Sequence, residues 1–337
     1  MVVLIVTTEK SGLDKYSQKI ATRVKAKTIE TKRYSSLREA YRFSKMMRTL
    51  NDVVHFPNQH FGRYAVVLKK RPVITVHDLA RISFDFDKET TMEKFLLRLD
   101  VRGIKRAAHI IAVSQNTKDE LVRYLRIPLD KISVVYNGVD HDIFKPSAGK
   151  KLVDKPYILY VGSERPRKNL PRLLQAFSQI RADFRGLKLL KLGPFGRSYE
   201  FRKQTLKQVE RLQISADVIF VDHVAEDDLP YYYSAASMLV YPSLYEGFGL
   251  PPVEAMACGC PVVTSNVSSL PEVVGDAALM IDPYNVDALA KAMAEILTND
   301  GLRRGMIERG LAQAEKFSWE KTAAETLEIH EKVCGIV

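Results

Sequence analysis

The sequence predicts an α/β protein with two doubly wound parallel sheets in series. Short runs of β-branched residues alternate with helical stretches along the whole chain, which is the pattern of parallel strands joined by crossover helices. The chain has 337 residues, more than one ordinary open α/β core needs, so two domains are expected. Its 46% hydrophobic and 27% charged residues are typical of a globular protein.

Five strands are predicted in each half of the chain. The first five lie near Val2 to Thr7, Val53 to Phe56, Val73 to Val76, His109 to Val113 and Ile132 to Tyr136. The second five lie near Tyr157 to Val161, Leu187 to Leu192, Val218 to Val221, Met238 to Tyr241 and Val262 to Thr264. An amphipathic helix from Trp319 to Val333 is predicted to end the pattern, with no further strand after it.

A break in the apolar periodicity separates the two halves. Residues 137–156 contain the turn pair Asn137-Gly138, then Pro146, Gly149 and two adjacent lysines. We therefore place the boundary near residue 150. This gives a first domain over residues 1–150, a second over 151–316, and a terminal helical segment over 317–337.

Composition narrows the cellular setting. The first residues carry no basic start and run directly into a segment of strand length, so a signal peptide is not expected. No apolar run approaches the ~18 residues of a transmembrane helix. The three cysteines, Cys258, Cys260 and Cys334, fit neither a disulfide framework nor a zinc knuckle. We expect a cytoplasmic protein.

Positive charge is concentrated in the first half. Residues 1–150 carry 29 Lys and Arg against 16 Asp and Glu, whereas residues 151–337 carry 22 against 24. The formal charge of +11 therefore comes wholly from the first half. A basic half suits an anionic membrane surface, an anionic substrate or nucleic acid, or it is a solvated face without a partner.

The most informative segment is the stretch Tyr-Pro-Ser-Leu-Tyr-Glu-Gly-Phe-Gly-Leu-Pro-Pro-Val-Glu that begins at Tyr241. A strand ends there, and ligands of open α/β sheets bind beyond the carboxyl ends of strands. Gly247 and Gly249 allow a ligand close to the backbone, and the helix expected from the two prolines onward offers N–H groups to a diphosphate. Glu246 on the loop and Glu254, expected in the first helical turn, can accept hydrogen bonds from sugar hydroxyls. A lone glutamate could also simply complement the helix dipole.

A cluster of cations follows the first strand of the second half. Arg165, Arg167 and Lys168 come directly before Asn169, which is predicted to cap the next helix. Cations at a helix N-terminus form a site for a doubly charged leaving group. A salt-bridged surface turn is the plain alternative.

The Glu-x7-Glu spacing of Glu246 and Glu254 resembles the signature of family 4 glycosyltransferases. Other segments agree: His77-Asp78, Asn137-Gly-Val-Asp140, Pro166-Arg-Lys-Asn-Leu, Pro261-Val-Val-Thr and Leu270-Pro-Glu-Val. The resemblance covers nearly the whole chain, strongly in the second half and loosely in residues 10–70. It implies the GT-B fold, with two Rossmann-like domains facing a cleft and a terminal helix that crosses back to the first domain.

The resemblance also implies a reaction: transfer of a hexose from a nucleotide diphosphate sugar to a glycan or lipid-linked acceptor, with retention of configuration. Glu254 would hold the donor ribose, Glu246 the transferred sugar, and Lys168 would neutralise the departing diphosphate. His77 would reach the donor sugar from the first domain. The expected catalytic residues are therefore His77, Lys168 and Glu246. The expected donor-binding residues are Gly12, Ser163, Arg165, Arg167, Lys168, Glu246, Gly247, Phe248, Gly249, Leu250 and Glu254.

Two positions depart from common patterns. Many family members have an arginine directly after the glycine that corresponds to Gly162, whereas this chain has Ser163, so Arg165 or Arg167 would supply that charge. Gly12 is the only glycine in the first βα loop, so the dinucleotide fingerprint is absent. An NAD-dependent oxidoreductase is disfavoured for that reason.

No metal and no cofactor are expected. Asp85-Phe-Asp87 is a D-x-D pair, which can hold a divalent metal on a nucleotide sugar, but it follows His77 in the basic domain, far in sequence from Lys168. Both signature glutamates are assigned to hydroxyl recognition, so no carboxylate remains as an obvious nucleophile. The acceptor would then attack from the side that the diphosphate leaves, as the resemblance suggests.

The basic first domain would bind the acceptor. Four basic residues recur every four positions and are predicted on one helix face, with Phe95, Leu96 and Leu99 turned elsewhere, and three more follow an apolar stretch. These seven residues are Lys94, Arg98, Arg102, Arg106, Lys69, Lys70 and Arg71. Both groups suit anionic lipid heads, so we expect a lipid-phosphate-linked acceptor and peripheral contact with the inner membrane face.

The segments around His77 and Glu246 look most like those of mannosyl- and glucosyl-transferring relatives, which favours GDP-mannose over UDP- or ADP-sugars. Backbone groups near Val221 to Val224 would contact the base. A non-catalytic, two-lobed sugar or nucleotide receptor remains the alternative. A nucleic-acid-binding protein is disfavoured because no aromatic-rich basic platform is visible.

Overall fold

A computed structural model describes residues 2–8, 12–24, 26–31, 37–84, 90–148, 153, 156–196 and 198–335. The chain divides into two compact units, Met1–Gly138 together with Ser318–Val337, and Val139–Phe317. The change between units comes after Gly138, earlier than the boundary predicted near residue 150. The reason is that the segment after Gly138 is bonded into the second unit, where Val139 N donates to Phe317 O at 3.3 Å.

The first unit contains a parallel sheet of six strands in the order β2-β1-β3-β4-β5-β6. Its elements are β1 (Val2–Thr7), α1 (Gly12–Ala21), β2 (Lys27–Thr31), α2 (Leu37–Thr49), β3 (Val53–Phe56), α3 (Gly62–Ala65), β4 (Val73–Val76), α4 (Ala80–Ser83), α5 (Thr91–Arg106), β5 (His109–Ala112), α6 (Gln115–Leu125) and β6 (Ile132–Val134). The strand order reverses at β1, so helices cover both faces of the sheet.

Side chains of β1 alternate between these two faces. Ile5 packs in the cluster that contains Phe43 of α2, whereas Leu4 and Val6 pack on the other face with Tyr16 of α1. Both faces are therefore buried, and the strand is a continuous run of apolar residues, as parallel sheets require.

A terminal helix, α14 (Trp319–Cys334), belongs to the first unit, as predicted. Thr322 Oγ1 donates to Tyr136 O at 2.8 Å, and the Trp319 ring packs 5.9 Å from that of Tyr16. A Cβ on Gly138 would lie 2.2 Å from the Trp319 nitrogen. Only glycine allows the chain to pass this closely to the start of the helix.

The second unit contains a parallel sheet of six strands in the order β12-β11-β10-β7-β8-β9. Its elements are β7 (Tyr157–Val161), α7 (Leu170–Ile180), β8 (Lys188–Leu192), α8 (Tyr199–Arg211), β9 (Val218–Val221), α9 (Leu229–Ala235), β10 (Met238–Tyr241), α10 (Leu250–Ala257), β11 (Val262–Ser265), α11 (Leu270–Val274), β12 (Leu279–Ile281), α12 (Val286–Thr298) and α13 (Asp300–Ala314). Apolar residues of β7, β8 and β10 form its core with helices α7 and α12.

All ten predicted strands are present, with ends within two residues of the prediction. The sequence did not indicate two further strands, β2 and β12, each of which lies at one edge of its sheet. Residues of β2 are mostly exposed or half-buried, and β12 has one buried residue of three. An outer strand has one neighbour and partial solvent contact, so its apolar signal is weak.

Candidate active site

Two loops that follow neighbouring strands of the second sheet form the candidate site. β7 and β10 pair in parallel, so their carboxyl ends lie at the same edge. The loop after β7 contains the 3-10 turn Pro166–Lys168, and residues 242–249 form the loop after β10. Leu244 N donates to Arg167 O at 2.7 Å and joins the two loops. The predicted cations and Glu246 thus come together.

Glu246 lies at the centre of this cluster. Its residue is 7% exposed, and each carboxylate oxygen has its own cation. Lys168 Nζ donates to Oε1 at 2.6 Å, and Arg167 Nη1 donates to Oε2 at 3.0 Å. Because the side chains of Glu246 and Lys168 are only 9% and 12% exposed, this is a buried ion cluster rather than a screened surface turn.

Burial and charge have opposite effects on the pKa values of this cluster. Burial raises the pKa of Glu246, but Lys168 and Arg167 outweigh burial and hold that pKa at about 2. Burial lowers the pKa of Lys168 to about 8, and the charge of Glu246 offsets only part of this effect. At pH 7 the carboxylate is therefore ionised and the lysine is mostly protonated.

Tyr241 is a part of the cluster that the sequence did not single out. It ends β10 and is 1% exposed. Its hydroxyl accepts from Lys168 Nζ at 2.5 Å and donates to Glu246 Oε1 at 2.9 Å. In the sequence, its position was the one indication: Tyr241 is the last residue of a predicted strand and directly precedes the loop that contains Glu246.

Asn169 has the predicted position but a different bonding role. It precedes α7 with φ 58°, in the left-handed region that asparagine tolerates better than most residues. Its side-chain amide does not cap the helix, and instead donates to Pro242 O at 2.9 Å and Pro283 O at 2.8 Å. The predicted side-chain cap is wrong, because the oxygen that would cap the helix, Oδ1, instead accepts from Arg172 Nη1 at 2.9 Å.

Two serines after β11 support the glutamate loop, and sequence reasoning missed them as well. Ser268 Oγ accepts from Glu246 N at 3.1 Å. Ser269 Oγ lies within hydrogen-bond distance of Glu246 O (3.0 Å) and Phe248 O (2.8 Å). Their signal was a run of small polar residues directly after a predicted strand.

The glycine loop leads into α10, whose start differs from the prediction. We expected the helix to begin at the two prolines, Pro251 and Pro252. It begins before them, at Leu250. Because Pro251 and Pro252 lack N–H groups, the first turn offers fewer donors to an anion than predicted. Gly249 has φ 113°, and a Cβ there would lie 2.8 Å from Leu270 Cδ2.

Glu254 lies in the second turn of α10, not in the first as predicted, because the helix starts earlier. Its Oε2 accepts from the Tyr233 hydroxyl at 2.8 Å. The residue is half-buried. Complementing the helix dipole, which acts within the first turn, therefore does not explain this glutamate.

Of the two arginines considered as substitutes for the family arginine, Arg167 is the one that contacts Glu246. The stem of Arg165 packs near Gly196, at whose position a Cβ would lie 3.3 Å from Arg165 Cγ. Ser163 contributes its main-chain carbonyl, which accepts from the Tyr160 hydroxyl at 2.8 Å. Arg167 therefore lies beside Glu246 in the cluster, whereas the stem of Arg165 lies beside Gly196.

A second buried ion cluster, which the sequence did not predict, joins the loop after β7 to strand β8, helix α8 and the residue that follows β9. Glu164 Oε1 lies 3.0 Å from Lys191 Nζ and accepts from Arg202 Nε at 2.7 Å. The Glu164 and Lys191 side chains are both 0% exposed. Arg202 also pairs with Asp222, which follows β9.

His77 follows β4 in the first unit and is 8% exposed. Its Nε2 lies 2.8 Å from Pro57 O and must donate, because a carbonyl can only accept. Burial lowers the pKa of His77 to about 4, so its imidazole is neutral at pH 7. Gly12 is the first residue of α1.

Residues 2–313 of the chain match two family models. The family model Glycosyltransferase Family 4 matches residues 2–143, and the model Glycosyl transferases group 1 matches residues 143–313. O-antigen chain mannosyltransferase B of Escherichia coli is 38% identical over 271 residues, which are 77% of this chain and 69% of that protein. This chain belongs to glycosyltransferase family 4.

Two further similarities agree with this family. The serotype-specific mannosyltransferase WbdA of Escherichia coli is 33% identical over 238 residues, which are 66% of this chain but 29% of that much longer protein. Sucrose-phosphate synthase from Thermosynechococcus elongatus superposes with a TM-score of 0.83 at 22% identity and covers 100% of this chain and 99% of its own. The predicted GT-B fold and glycosyltransferase class are confirmed. The residue roles stay predictions.

The basic residues of this glycosyltransferase lie on the surface of the first unit. All seven predicted contact residues, Lys69, Lys70, Arg71, Lys94, Arg98, Arg102 and Arg106, are exposed. Phe95, which was expected to turn elsewhere than the basic residues, is 52% exposed, and Met92 is 59% exposed. Helix α5 is attached to the rest of the first unit by buried Asp100, whose Oδ2 lies 2.6 Å from Arg63 Nη2.

Two expectations on this glycosyltransferase concern metal and membrane. Asp85 and Asp87, weighed as a metal site, lie outside the described residues. Among the residues that the structure covers, no helix combines the length and apolar character needed to cross a bilayer.

Proposed function

We propose that this family 4 glycosyltransferase transfers mannose from GDP-mannose to a glycan or lipid-linked acceptor, with retention of configuration and without a metal. The observation that carries the proposal is the buried cluster of Lys168, Arg167 and Glu246 at the carboxyl edge of the second sheet. Two cations in one place suit a doubly charged leaving group, and an ionised carboxylate suits sugar hydroxyls.

The choice of mannose is supported by the names of two relatives, O-antigen chain mannosyltransferase B and the mannosyltransferase WbdA. Guanine as the base is an inference from sequence likeness alone. GDP-mannose is therefore the first donor to test, ahead of UDP- and ADP-sugars.

The cluster supports a division of labour in the reaction. When the donor enters, Lys168 and Arg167 would exchange part of their interaction with Glu246 for the phosphates, and the carboxylate would accept from hydroxyls of the hexose. A carboxyl whose pKa is about 2 is a poor proton donor or acceptor at neutral pH, which supports recognition rather than acid-base work for Glu246. The chemical step would then depend on leaving-group stabilisation and positioning.

Neutral His77 fits the same scheme. With Nε2 donating to Pro57 O, its remaining ring nitrogen is an acceptor, which suits a sugar hydroxyl better than a phosphate. The donor contact predicted for Gly12 rests on the family resemblance.

The acceptor side of the proposal is based on the surface of the first unit. The exposed basic residues of α5 stand beside exposed Met92 and Phe95, a combination that favours the headgroup region of an anionic bilayer. A lipid-phosphate-linked acceptor at the inner membrane face would bring the substrate to this surface. In vesicle flotation at low salt, the protein should float with phosphatidylserine vesicles and stay at the bottom with phosphatidylcholine vesicles. Equal behaviour with both would remove the membrane contact.

The decisive test is a donor panel. Thermal unfolding with GDP, UDP and ADP identifies the nucleotide, because a ligand that binds only the native state raises its stability. Transfer from the matching nucleotide sugar to an acceptor extract, with and without EDTA, tests the reaction and metal independence. Nuclear magnetic resonance of the product then gives the anomer. Tight donor binding with neither transfer nor donor hydrolysis would favour the receptor alternative.

A further inference from the structure

The hydroxyl of Tyr241 joins the two residues on which the proposed reaction depends. It accepts from Lys168 Nζ and donates to Glu246 Oε1. The lysine nitrogen also lies 4.8 Å from the centre of the Tyr241 ring. With the residue 1% exposed, the hydroxyl is shielded from water, and its hydrogen bonds to charged partners are strong ones.

Two other buried tyrosines of the same unit use their hydroxyls differently. Tyr157 donates to the main-chain carbonyl of Tyr232 at 2.8 Å, and Tyr160 donates to that of Ser163 at 2.8 Å. Those two hydrogen bonds hold main-chain carbonyl groups in place. The Tyr241 hydroxyl instead bonds to two side chains that carry opposite charges.

The charged partners of the Tyr241 hydroxyl would become important when a diphosphate binds. Lys168 and Arg167 are cations, and an entering diphosphate competes with Glu246 for both of them. Tyr241 is uncharged, since burial raises its pKa well above the usual value, and its O–H remains directed at Glu246. A diphosphate therefore competes less for this hydroxyl than for the two cations that contact the carboxylate.

We propose that Tyr241 is a positioning residue for the transfer reaction: its hydroxyl keeps Glu246 oriented toward the hexose while Lys168 moves to the diphosphate. The inference rests on the proposed function and adds a residue to it. Tyr241 acts through its two partners, without touching the substrate.

The test compares Tyr241→Phe with Tyr157→Phe. Both variants remove one buried tyrosine hydroxyl from the second unit, and only the first removes it from the ion cluster. With the donor that supports turnover, Tyr241→Phe should lower kcat by about 10- to 100-fold and change the donor KM by less than about threefold. Tyr157→Phe should change both by less than about threefold.

A pH profile gives a second readout, one that a general loosening of the fold would not move. Lys168 faces Glu246, Arg167, Arg165 and the Tyr241 hydroxyl. Loss of the hydroxyl leaves those other charges in place and removes an acceptor from the ammonium, so the neutral amine is favoured. The alkaline limb of kcat/KM, and of GDP affinity measured by calorimetry, should move to lower pH in Tyr241→Phe and stay in place in Tyr157→Phe.

The outcomes separate this inference from the proposed function. If Glu246→Ala is inactive but Tyr241→Phe retains normal kcat and an unshifted alkaline limb, the positioning role is wrong and the proposed function stands. If Tyr241→Phe loses activity only in proportion to lost folded protein, its role is structural and the inference is also overturned. If Glu246→Ala is itself fully active, the proposed function fails.

Discussion

The two units bury polar groups in different ways. In the second unit, Glu246 and Glu164 are buried side chains that each contact two cationic side chains. The first unit buries Asp100, which pairs with Arg63, and also a chain of neutral groups: His330 Nε2 lies 2.9 Å from His55 Nδ1, and His55 Nε2 lies 2.9 Å from Thr75 Oγ1.

This contrast runs against the distribution of net charge. The first half of the sequence carries the whole positive excess, yet its seven predicted contact residues lie on the surface, and His55 and His330 in the interior of the first unit are neutral. The second half is nearly neutral in sum but places opposite charges inside. Net charge therefore indicates what a surface can attract, whereas chemistry depends on charges that packing removes from water.

The largest effect should come from the ion cluster of the candidate site. Glu246→Ala and Lys168→Ala should each lower transfer by about a thousandfold or more, because each removes a charge that acts on the sugar or the leaving group. Initial rates, with circular dichroism to verify folding, measure this. Glu295→Ala, an exposed glutamate on α12, is the control. Near-normal turnover in either site variant would contradict the assignment.

Next in size is the second buried ion cluster. Lys191→Met should cost about 3 kcal/mol or more in the free energy of unfolding, because it leaves the carboxylate of Glu164 with one cation in a buried site. Asp217→Asn serves as the comparison, since Asp217 pairs with Arg181 and Lys188 in a more exposed setting and should cost under about 1 kcal/mol. Urea denaturation measures both. Equal losses would show that burial is not the deciding factor.

The buried neutral histidines of the first unit predict a pH effect. Burial lowers the pKa of His330 to about 4 in the folded state, against an ordinary value of 6.5. Because the unfolded chain takes up the proton first, stability is complete above about pH 6.5 and falls as the pH drops toward 4. Between about pH 6.5 and pH 4, the free energy of unfolding of the His330→Gln variant should fall by about 2 to 3 kcal/mol less than that of the unaltered protein. Parallel pH profiles for the two proteins would refute a buried neutral histidine.

The smallest effect on stability is expected at the exposed basic face. The double variant Arg98→Gln, Arg102→Gln should change the free energy of unfolding by less than about 0.5 kcal/mol, because both side chains are exposed. Binding to phosphatidylserine vesicles should weaken by about 1 kcal/mol per residue. Flotation and urea denaturation, run on the same samples, separate the two effects. A large loss of stability would place these arginines in the fold rather than on a binding surface.

Local patterns were sufficient for ten of the strands, the terminal helix and the positions of the cations and Glu246, because strand periodicity and turn chemistry act over a few neighbouring residues. They also placed His77 at a strand end. They failed at the outer strands β2 and β12 and at the start of α10, where partial exposure or adjacent prolines weaken the pattern.

Contacts between distant segments could be decided only by the fold. Lys168 and Glu246 are 78 positions apart, and they meet because β7 and β10 are neighbours in the sheet order. The contacts of Tyr241 with Lys168, and of Ser268 and Ser269 with the Glu246 loop, depend on strand order in the same way. Sequence shows which side chains can carry a charge or a hydrogen bond, but burial and strand order determine which partners each one meets and how strongly they interact.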